Sequence, residues 1–242
     1  MKILAVIPSR FASTRFPGKP LIDIKGKTMI QRVFEQAKQC KSFADVIVAT
    51  DDERIYNHVI EFGGKAMMTS EKHPSGTDRC AEVLSKIDQK YDAVVNVQGD
   101  EPFIQPEQLE QLIECFKNPK TQIATLVKKI DSTDDLLNIN LLKVIFNKEM
   151  KALYFSRLPI PGQKLVDTEE WVKNHQYYRH IGLYGYRAQT LKEITLLPPS
   201  PLENIESLEQ LRWLEAGYTI TVSVTEFESI GIDTPNDLNK IN

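Results

Sequence analysis

The sequence predicts an α/β fold built on a doubly wound, mostly parallel sheet, and three observations carry that expectation. Residues 3–7, 46–50 and 93–97 are short runs rich in Val and Ile, with continuous rather than alternating hydrophobicity. Strands of that kind belong to a parallel sheet covered on both faces. Between them Met29, Ile30, Val33, Phe34 and Ala37 recur at helical spacing, as do Leu109, Leu112, Ile113 and Phe116. The resulting β-α-β-α-β order over the first two-thirds of the chain is that of an open, doubly wound sheet.

Helix starts support the same order. Thr50-Asp51-Asp52-Glu53 fits a capping box directly after a strand, with the Thr hydroxyl and Glu carboxylate serving orphan N–H groups. Ser200-Pro201-Leu202-Glu203 and Thr234-Pro235-Asn236-Asp237 place Pro at the first helical position and an acid at the third. The pattern changes after about residue 121. Runs 123–127, 142–146 and 152–155 follow one another without intervening helices, which suggests antiparallel or edge strands. Residues 158–177 are polar, Pro-containing and irregular, an excursion from the sheet. A strand near 181–186, a helix over about 203–216 and a strand near 219–224 return to the core. On the late helix Ile205, Leu208, Leu211 and Leu214 form the expected buried stripe. Glu206, Glu209 and Gln210 share another, solvated face. With no internal repeat and no Gly/Ser linker, one domain over 1–242 with an inserted lobe near 158–177 is expected.

Composition narrows the function classes. The chain has 242 residues, 41% hydrophobic and 26% charged, with net charge −3. That balance gives no reason to expect nucleic acid or an anionic membrane as partner. Three widely spaced cysteines, Cys40, Cys80 and Cys115, fit neither a zinc knuckle nor a disulfide framework and read as small buried thiols. Residues 1–8 are too short for a signal-peptide core, and no run approaches the roughly 18 apolar residues of a membrane span. A cytoplasmic protein is expected.

An acidic protein that binds an anion must gather its cations locally, and one loop does so. Ser9-Arg10-Phe11-Ala12-Ser13-Thr14-Arg15-Phe16-Pro17-Gly18-Lys19-Pro20 follows the first strand, where open α/β sheets bind ligands. Hydroxyls and backbone N–H groups can wrap phosphate oxygens while Arg forks and the Lys charge neutralise them. Neither G-x-G-x-x-G nor G-x-x-x-x-G-K-[ST] is present, which disfavours a nicotinamide oxidoreductase or P-loop enzyme. A solvated basic connection is the alternative for the loop taken alone.

The loop, extended to Leu21, resembles the signature loop of the 3-deoxy-manno-octulosonate cytidylyltransferases. The resemblance continues through Val48-Ala49-Thr50-Asp51, Ser75-Gly76-Thr77-Asp78-Arg79 and Asn96-Val97-Gln98-Gly99-Asp100-Glu101-Pro102. It includes Ala152-Leu153-Tyr154-Phe155-Ser156-Arg157 and Arg179-His180-Ile181-Gly182-Leu183-Tyr184-Gly185-Tyr186-Arg187. Ser200-Pro201-Leu202-Glu203, Leu208-Glu209-Gln210-Leu211-Arg212 and Ile232-Asp233-Thr234-Pro235 complete it. The resemblance implies a Rossmann-like sheet of the nucleotide-diphospho-sugar transferase type with a smaller inserted dimerisation lobe. It also implies a homodimer that transfers CMP from CTP to 3-deoxy-D-manno-octulosonate (Kdo) for lipopolysaccharide biosynthesis.

Each candidate residue has a plain structural reading beside the functional one. Asp100 and Asp233 follow strand-like segments, where an Asp commonly caps the next helix, although Thr234 is the better cap before Pro235. Gly99 permits close backbone approach beside Asp100. Two hard carboxylates from separate strand ends suit Mg²⁺, and the resemblance makes Asp100 and Asp233 its ligands. Arg10, Ser13, Arg15 and Lys19 are the expected triphosphate contacts, with Lys19 also counted as catalytic. Ser75 opens a helix as a plain cap with Asp78 at its third position. By resemblance Ser75, Thr77 and Arg79 also serve CTP. An Arg in a helix's first turn opposes the dipole, which asks for a further reason. Arg157 is a surface ion pair or, by resemblance, the clamp on the sugar carboxylate. Gln98, His180, Tyr184, Glu209 and Gln210 are the other implied sugar contacts, whereas Glu203 reads as a cap. No residue stands out as a dedicated general base, and Asp233 is the candidate. Glu228-Ser229-Ile230-Gly231 departs from the Gly-Thr-Gly expected there and leaves an 8-amino-Kdo or other nonulosonic-acid enzyme open. A silent CTP-binding subunit would lose a loop cation or metal Asp, and none is lost.

Overall fold

In the computed structural model, residues 1–12, 16–228, 231–232 and 234–241 are described, without the side chains of 239–241. The chain forms two compact units. The first comprises 1–110, 185–195 and 228–242, and the second 111–184 and 196–227.

The first unit grows from β1 (Ile3–Ser9), whose residues 3–7 are at most 1% exposed. A short hairpin, β2 (Asp23–Ile24) and β3 (Lys27–Thr28), leads into α1 (Met29–Gln39). There follow β4 (Phe43–Thr50), α2 (Glu53–Glu61), β5 (Ala66–Met68), α3 (Gly76–Lys86), β6 (Ala93–Asn96) and α4 (Pro106–Glu114). Strand order is β6-β1-β4-β5, and every pair is parallel. Helical faces supply the cover the strands require: Val33 and Ala37 of α1, Ile55 and Val59 of α2, and Cys80 and Val83 of α3 are fully buried. The expected capping box after β4 is displaced. Asp52 caps α2 by accepting from the Arg54 amide, and Thr50 Oγ1 accepts from Asp52 instead. Thr50 is held as the last residue of β4, so the helix starts later than its hydroxyl can reach.

In the second unit β7 (Ile123–Ile130) is parallel to the last strand rather than antiparallel. A one-turn helix, α5 (Thr133–Leu137), separates it from β8 (Lys143–Phe146), where no helix is expected from sequence. β8 pairs antiparallel with β9 (Ala152–Ser156), as the close spacing of these runs suggests. Within the excursion only α6 (Trp171–Asn174) and a 3-10 turn are regular. It packs Trp171 and Val172 on a buried cluster of Ile130, Leu136 and Tyr177. β10 (Tyr177–Arg187) runs out of this unit into the first, where α7 (Ala188–Ile194) follows. The chain returns as α8 (Pro201–Glu206), α9 (Glu209–Glu215) and β11 (Ile220–Val224).

The single late helix expected from sequence is thus two, broken at Ser207 in the left-handed conformation at φ 53°. The break rotates the faces. Ile205 is 80% exposed, while Leu208, Leu211 and Trp213 are buried. Glu206 does not share the face of Glu209; it accepts from Ser156 Oγ and the Arg157 amide. The capping box at Ser200 does form, with Ser200 Oγ accepting from the Glu203 amide and Glu203 accepting from the Ser200 amide. Ser200→Ala is expected to destabilise the second unit by about 1 kcal/mol. Both tryptophans, Trp171 and Trp213, lie in that unit, so denaturant unfolding followed by their fluorescence is the check.

Candidate active site

The first unit holds a cavity of about 230 Å³ at the carboxyl ends of its parallel strands. The end of β1 contributes Pro8, Ser9 and Arg10; the turn at Lys19 and Pro20 follows. Gln98, Gly99 and Asp100 come from the segment after β6, and His73, Ser75, Gly76 and Arg79 from the start of α3. Gly99 has a steric reason. A Cβ there would stand 2.7 Å from the Pro8 carbonyl oxygen, so only glycine lets the two strand ends run so close. Gly76 is similarly confined, with a Cβ meeting Pro8 Cγ at 3.3 Å. Among the described residues, Ser9 Oγ and Asn96 Oδ1 are buried without a hydrogen-bond partner. Buried polar atoms of that kind call for a ligand or water, and Ser9 lines the cavity.

The loop after β1 is shaped at its base. The Gly18 amide donates to the Phe11 carbonyl at 3.0 Å, and Gly18 takes φ 73° with its open side against the Phe11 ring. The Arg54 guanidinium lies 3.3 Å from the centre of that ring. Lys19 starts a 3-10 turn, and its Nζ meets Asp100 Oδ2 at 2.9 Å. Cation and carboxylate therefore converge at one point of the cavity. Arg10 is exposed at its rim. Ser13 and Arg15 lie outside the described residues, as does Asp233. Its neighbour Ile232 is fully buried with Ile24 and Met29 and donates its amide to the Asp100 carbonyl at 2.9 Å. Among the described residues no three His, Cys, Asp or Glu come together as a metal cluster. Mg²⁺ asks for less, one or two carboxylates completed by phosphates and water, and the Asp100 carboxylate is one-third exposed.

On the far wall Ser75 caps α3 by accepting from the Asp78 amide. Arg79, 4% exposed, donates from Nη2 to Asp51 Oδ2 at 2.9 Å and from Nη1 to Thr69 Oγ1. Thr77 does not join the lining; it is 2% exposed, with its hydroxyl 3.4 Å from Tyr186 Oη. His73, absent from the sequence-based candidates, lines the cavity and bonds through Nε2 to Glu82. Glu82 also accepts from the Ser70 amide and pairs with Lys86. Burial opposes ionisation of Glu82, but Lys86, the Ser70 amide and His73 outweigh it and hold the carboxyl at about 2. The only trace of this network in the sequence is a His two residues before a helix cap.

The remaining predicted residues lie in the second unit. Arg157 directs its guanidinium to the carbonyls of Glu206, at 2.6 Å from Nε, and of Ser207 and Ile139. It clasps the break between α8 and α9 rather than forming a surface ion pair. His180 sits edge-on to Phe155 and against Tyr184, with Nε2 3.0 Å from Thr125 Oγ1. The Thr125 hydroxyl donates to the Leu183 carbonyl, so it accepts from His180, whose Nε2 carries the proton and whose Nδ1 is an acceptor. Burial pushes the imidazole down to about 3, and it is neutral at pH 7. Burial and the nearby Glu209 push the Tyr184 phenol well up. Gln210 is 5% exposed, and among the described residues its Nε2 has no hydrogen-bond partner. Glu203 is the cap expected of it and pairs with Arg212.

A parallel sheet with a polar cavity at its strand ends, a lysine, a carboxylate and a buried arginine is the site of a nucleotide-using α/β enzyme. Residues 4–224 match the cytidylyltransferase family. A 3-deoxy-manno-octulosonate cytidylyltransferase of Parabacteroides distasonis is 58% identical, covering 99% of this chain and 96% of the relative. One from Phocaeicola vulgatus is also 58% identical, over 98% and 95%. Among solved structures, a CMP:2-keto-3-deoxy-manno-octonic acid synthetase complexed with CTP is 43% identical, with a TM-score of 0.92 over 100% and 97% of the two chains. The chain belongs to the cytidylyltransferase family, among the 3-deoxy-manno-octulosonate cytidylyltransferases.

Two outcomes are expected from the geometry of the first unit. Gly99→Ala separates the strand ends and lowers stability by about 1–3 kcal/mol, read as a fall in melting temperature. Glu82 has a folded pKa below its ordinary value of 4.5, so its contribution is complete above pH 4.5 and fades as pH falls towards 2. Glu82→Gln is therefore less stable than the parent at pH 7, with the gap in melting temperature closing below pH 4.5.

Proposed function

We propose that this chain transfers CMP from CTP to the anomeric hydroxyl of Kdo, giving CMP-Kdo and pyrophosphate for lipopolysaccharide synthesis. The observation that carries this reading is the convergence of Lys19 and Asp100 in the strand-end cavity of a cytidylyltransferase. In this reading the sugar hydroxyl attacks the α-phosphorus in line with the bridging oxygen. A P–O bond forms to the sugar, the bond to the β-phosphate breaks, and the hydroxyl proton leaves to base or solvent.

The chain's contribution is position and charge neutralisation. Arg10, Ser13, Arg15 and Lys19 hold the triphosphate, and their cations stabilise the departing pyrophosphate. Ser75, Thr77 and Arg79 serve the nucleoside, with Thr77 acting from behind the wall through its buried hydroxyl. Asp100 and Asp233 would hold Mg²⁺, which supplies Lewis-acid polarisation of phosphate oxygens when bound. In the second unit, the neutral His180, with Tyr184, Glu209 and the Gln210 amide, whose Nε2 has no partner among the described residues, suits a ligand rich in hydroxyls. Arg157 is assigned to the sugar carboxylate and Gln98 to the sugar hydroxyls. We further place the enzyme in the cytoplasm as a homodimer. Leu158 and Leu165, exposed at 63% and 95% on the excursion, support a contact there.

Pyrophosphate release is the test, with CTP, UTP and ATP crossed against Kdo, 8-amino-Kdo and sialic acid. Release with CTP and Kdo is expected, and none with any pair overturns the reading. A preference for 8-amino-Kdo would move the substrate to that sibling. Asp100→Asn is expected to lower turnover at least 10³-fold, on the order seen when a transition-state charge partner is lost. Its circular dichroism and melting curve should stay near those of the parent; near-normal turnover removes Asp100 from the metal site.

A further inference from the structure

Arg79 occupies a costly place. It sits in the first turn of α3, where the helix dipole opposes a cation, and is 4% exposed, where desolvation opposes any charge. A buried ion pair is poor value as a stabiliser, since well-packed apolar groups do as well. The pairing with Asp51 therefore asks for another purpose. Asp51 is the first residue after β4, and its carboxylate takes Nη2 at 2.9 Å. Thr69 takes Nη1. Thr69 is itself locked, because its amide and hydroxyl both donate to the Thr50 carbonyl, at 2.8 and 3.1 Å. A hydroxyl donating to Thr50 must present a lone pair to Arg79, so the bonding sense is unambiguous.

Two of five guanidinium N–H groups are thus bound by Asp51 and Thr69, and the fork is oriented by groups that do not line the cavity. Arg79 does line it. Its three remaining N–H groups are donors held in one rigid plane, and an adjacent two of them make a donor-only edge. Such an edge fits two adjacent acceptors. Cytosine offers them as its O2 carbonyl and bare N3. Uracil carries a hydrogen on N3, and a donor facing a donor costs binding. Purines offer no O2/N3 pair of this kind at that position.

We propose that Asp51, with Thr69, is a positioning residue for pyrimidine choice: it holds the Arg79 fork at the angle that accepts cytosine and rejects uracil. The inference rests on the cytidylyltransferase reading given above. It adds that selectivity between CTP and UTP depends on two residues that do not line the cavity.

The test compares the parent enzyme with Asp51→Asn, Thr69→Val and Thr69→Ser. CTP and UTP affinities are measured by calorimetry, and pyrophosphate release with Kdo is measured in parallel. Asp51→Asn is expected to raise KM for CTP by about tenfold and to narrow the CTP-over-UTP ratio of kcat/KM by a similar factor, with kcat little changed. Thr69→Val shifts the ratio in the same direction, while Thr69→Ser, which keeps the hydroxyl, restores it. A general loss of stability would lower kcat and melting temperature without touching the ratio. Folded Asp51→Asn and Thr69→Val proteins with the parent's CTP/UTP ratio overturn the proposal. Absence of both CTP binding and turnover in the parent overturns the underlying reading, an outcome distinct from an unchanged ratio.

Discussion

A side chain at position 99 would collide with the Pro8 carbonyl oxygen at 2.7 Å, and the cavity of the first unit depends on that close passage. Parallel pairing of β1 with β6 and β4 brings three strand ends to one edge. The absence of a Cβ at Gly99 lets the segment after β6 stay beside β1, which carries Gln98 and Asp100 to the loop that carries Lys19. The Ile232 amide then closes on the Asp100 carbonyl, and the burial of Ile232 with Ile24 and Met29 keeps it there. Backbone geometry, rather than side-chain attraction, thus brings the charged groups together.

Charge is handled by matching within this unit. The chain is acidic overall, yet each basic side chain lining the cavity other than the rim residue Arg10 is set against a carboxylate: Lys19 against Asp100, Arg79 against Asp51, and His73 against Glu82. Such pairs fix direction in a place where desolvation would otherwise scatter long side chains. The second unit works differently. Arg157 and Glu209 apart, its candidate groups are neutral or aromatic, with the His180 tautomer set by Thr125 and the Arg157 fork bound to carbonyls of the α8–α9 break. That contrast suits one ligand with concentrated negative charge and another whose surface is mostly hydroxyls.

Local signals in the sequence were strong where a single residue type has one use. The apolar runs gave β1, β4 and β6; Ser75 and Ser200 gave their caps; Gly99 announced a close approach. The readings that failed concern choices among near-equal local options. Thr50 and Asp52 both suit an N-cap, and the length of β4 settled it for Asp52. The stretch 201–215 is periodic enough for one helix, but the left-handed Ser207 splits it, with Glu206 accepting from Ser156 and the Arg157 amide. The turn α5 is a one-turn helix too short for periodicity to reveal.

By itself the sequence determined the α/β class, the loop after the first strand that lines the cavity, and the family of the chain. These depend on hydrophobic period, turn chemistry and contiguous motifs, all of which are local. Tertiary structure alone decided that Lys19 meets Asp100, that Asp51 and Thr69 steer Arg79, and that Glu82 holds His73. Those partners stand 81, 28, 10 and 9 residues apart in the chain. No periodicity encodes such pairings, because they arise from which strand ends and helix starts the sheet places side by side.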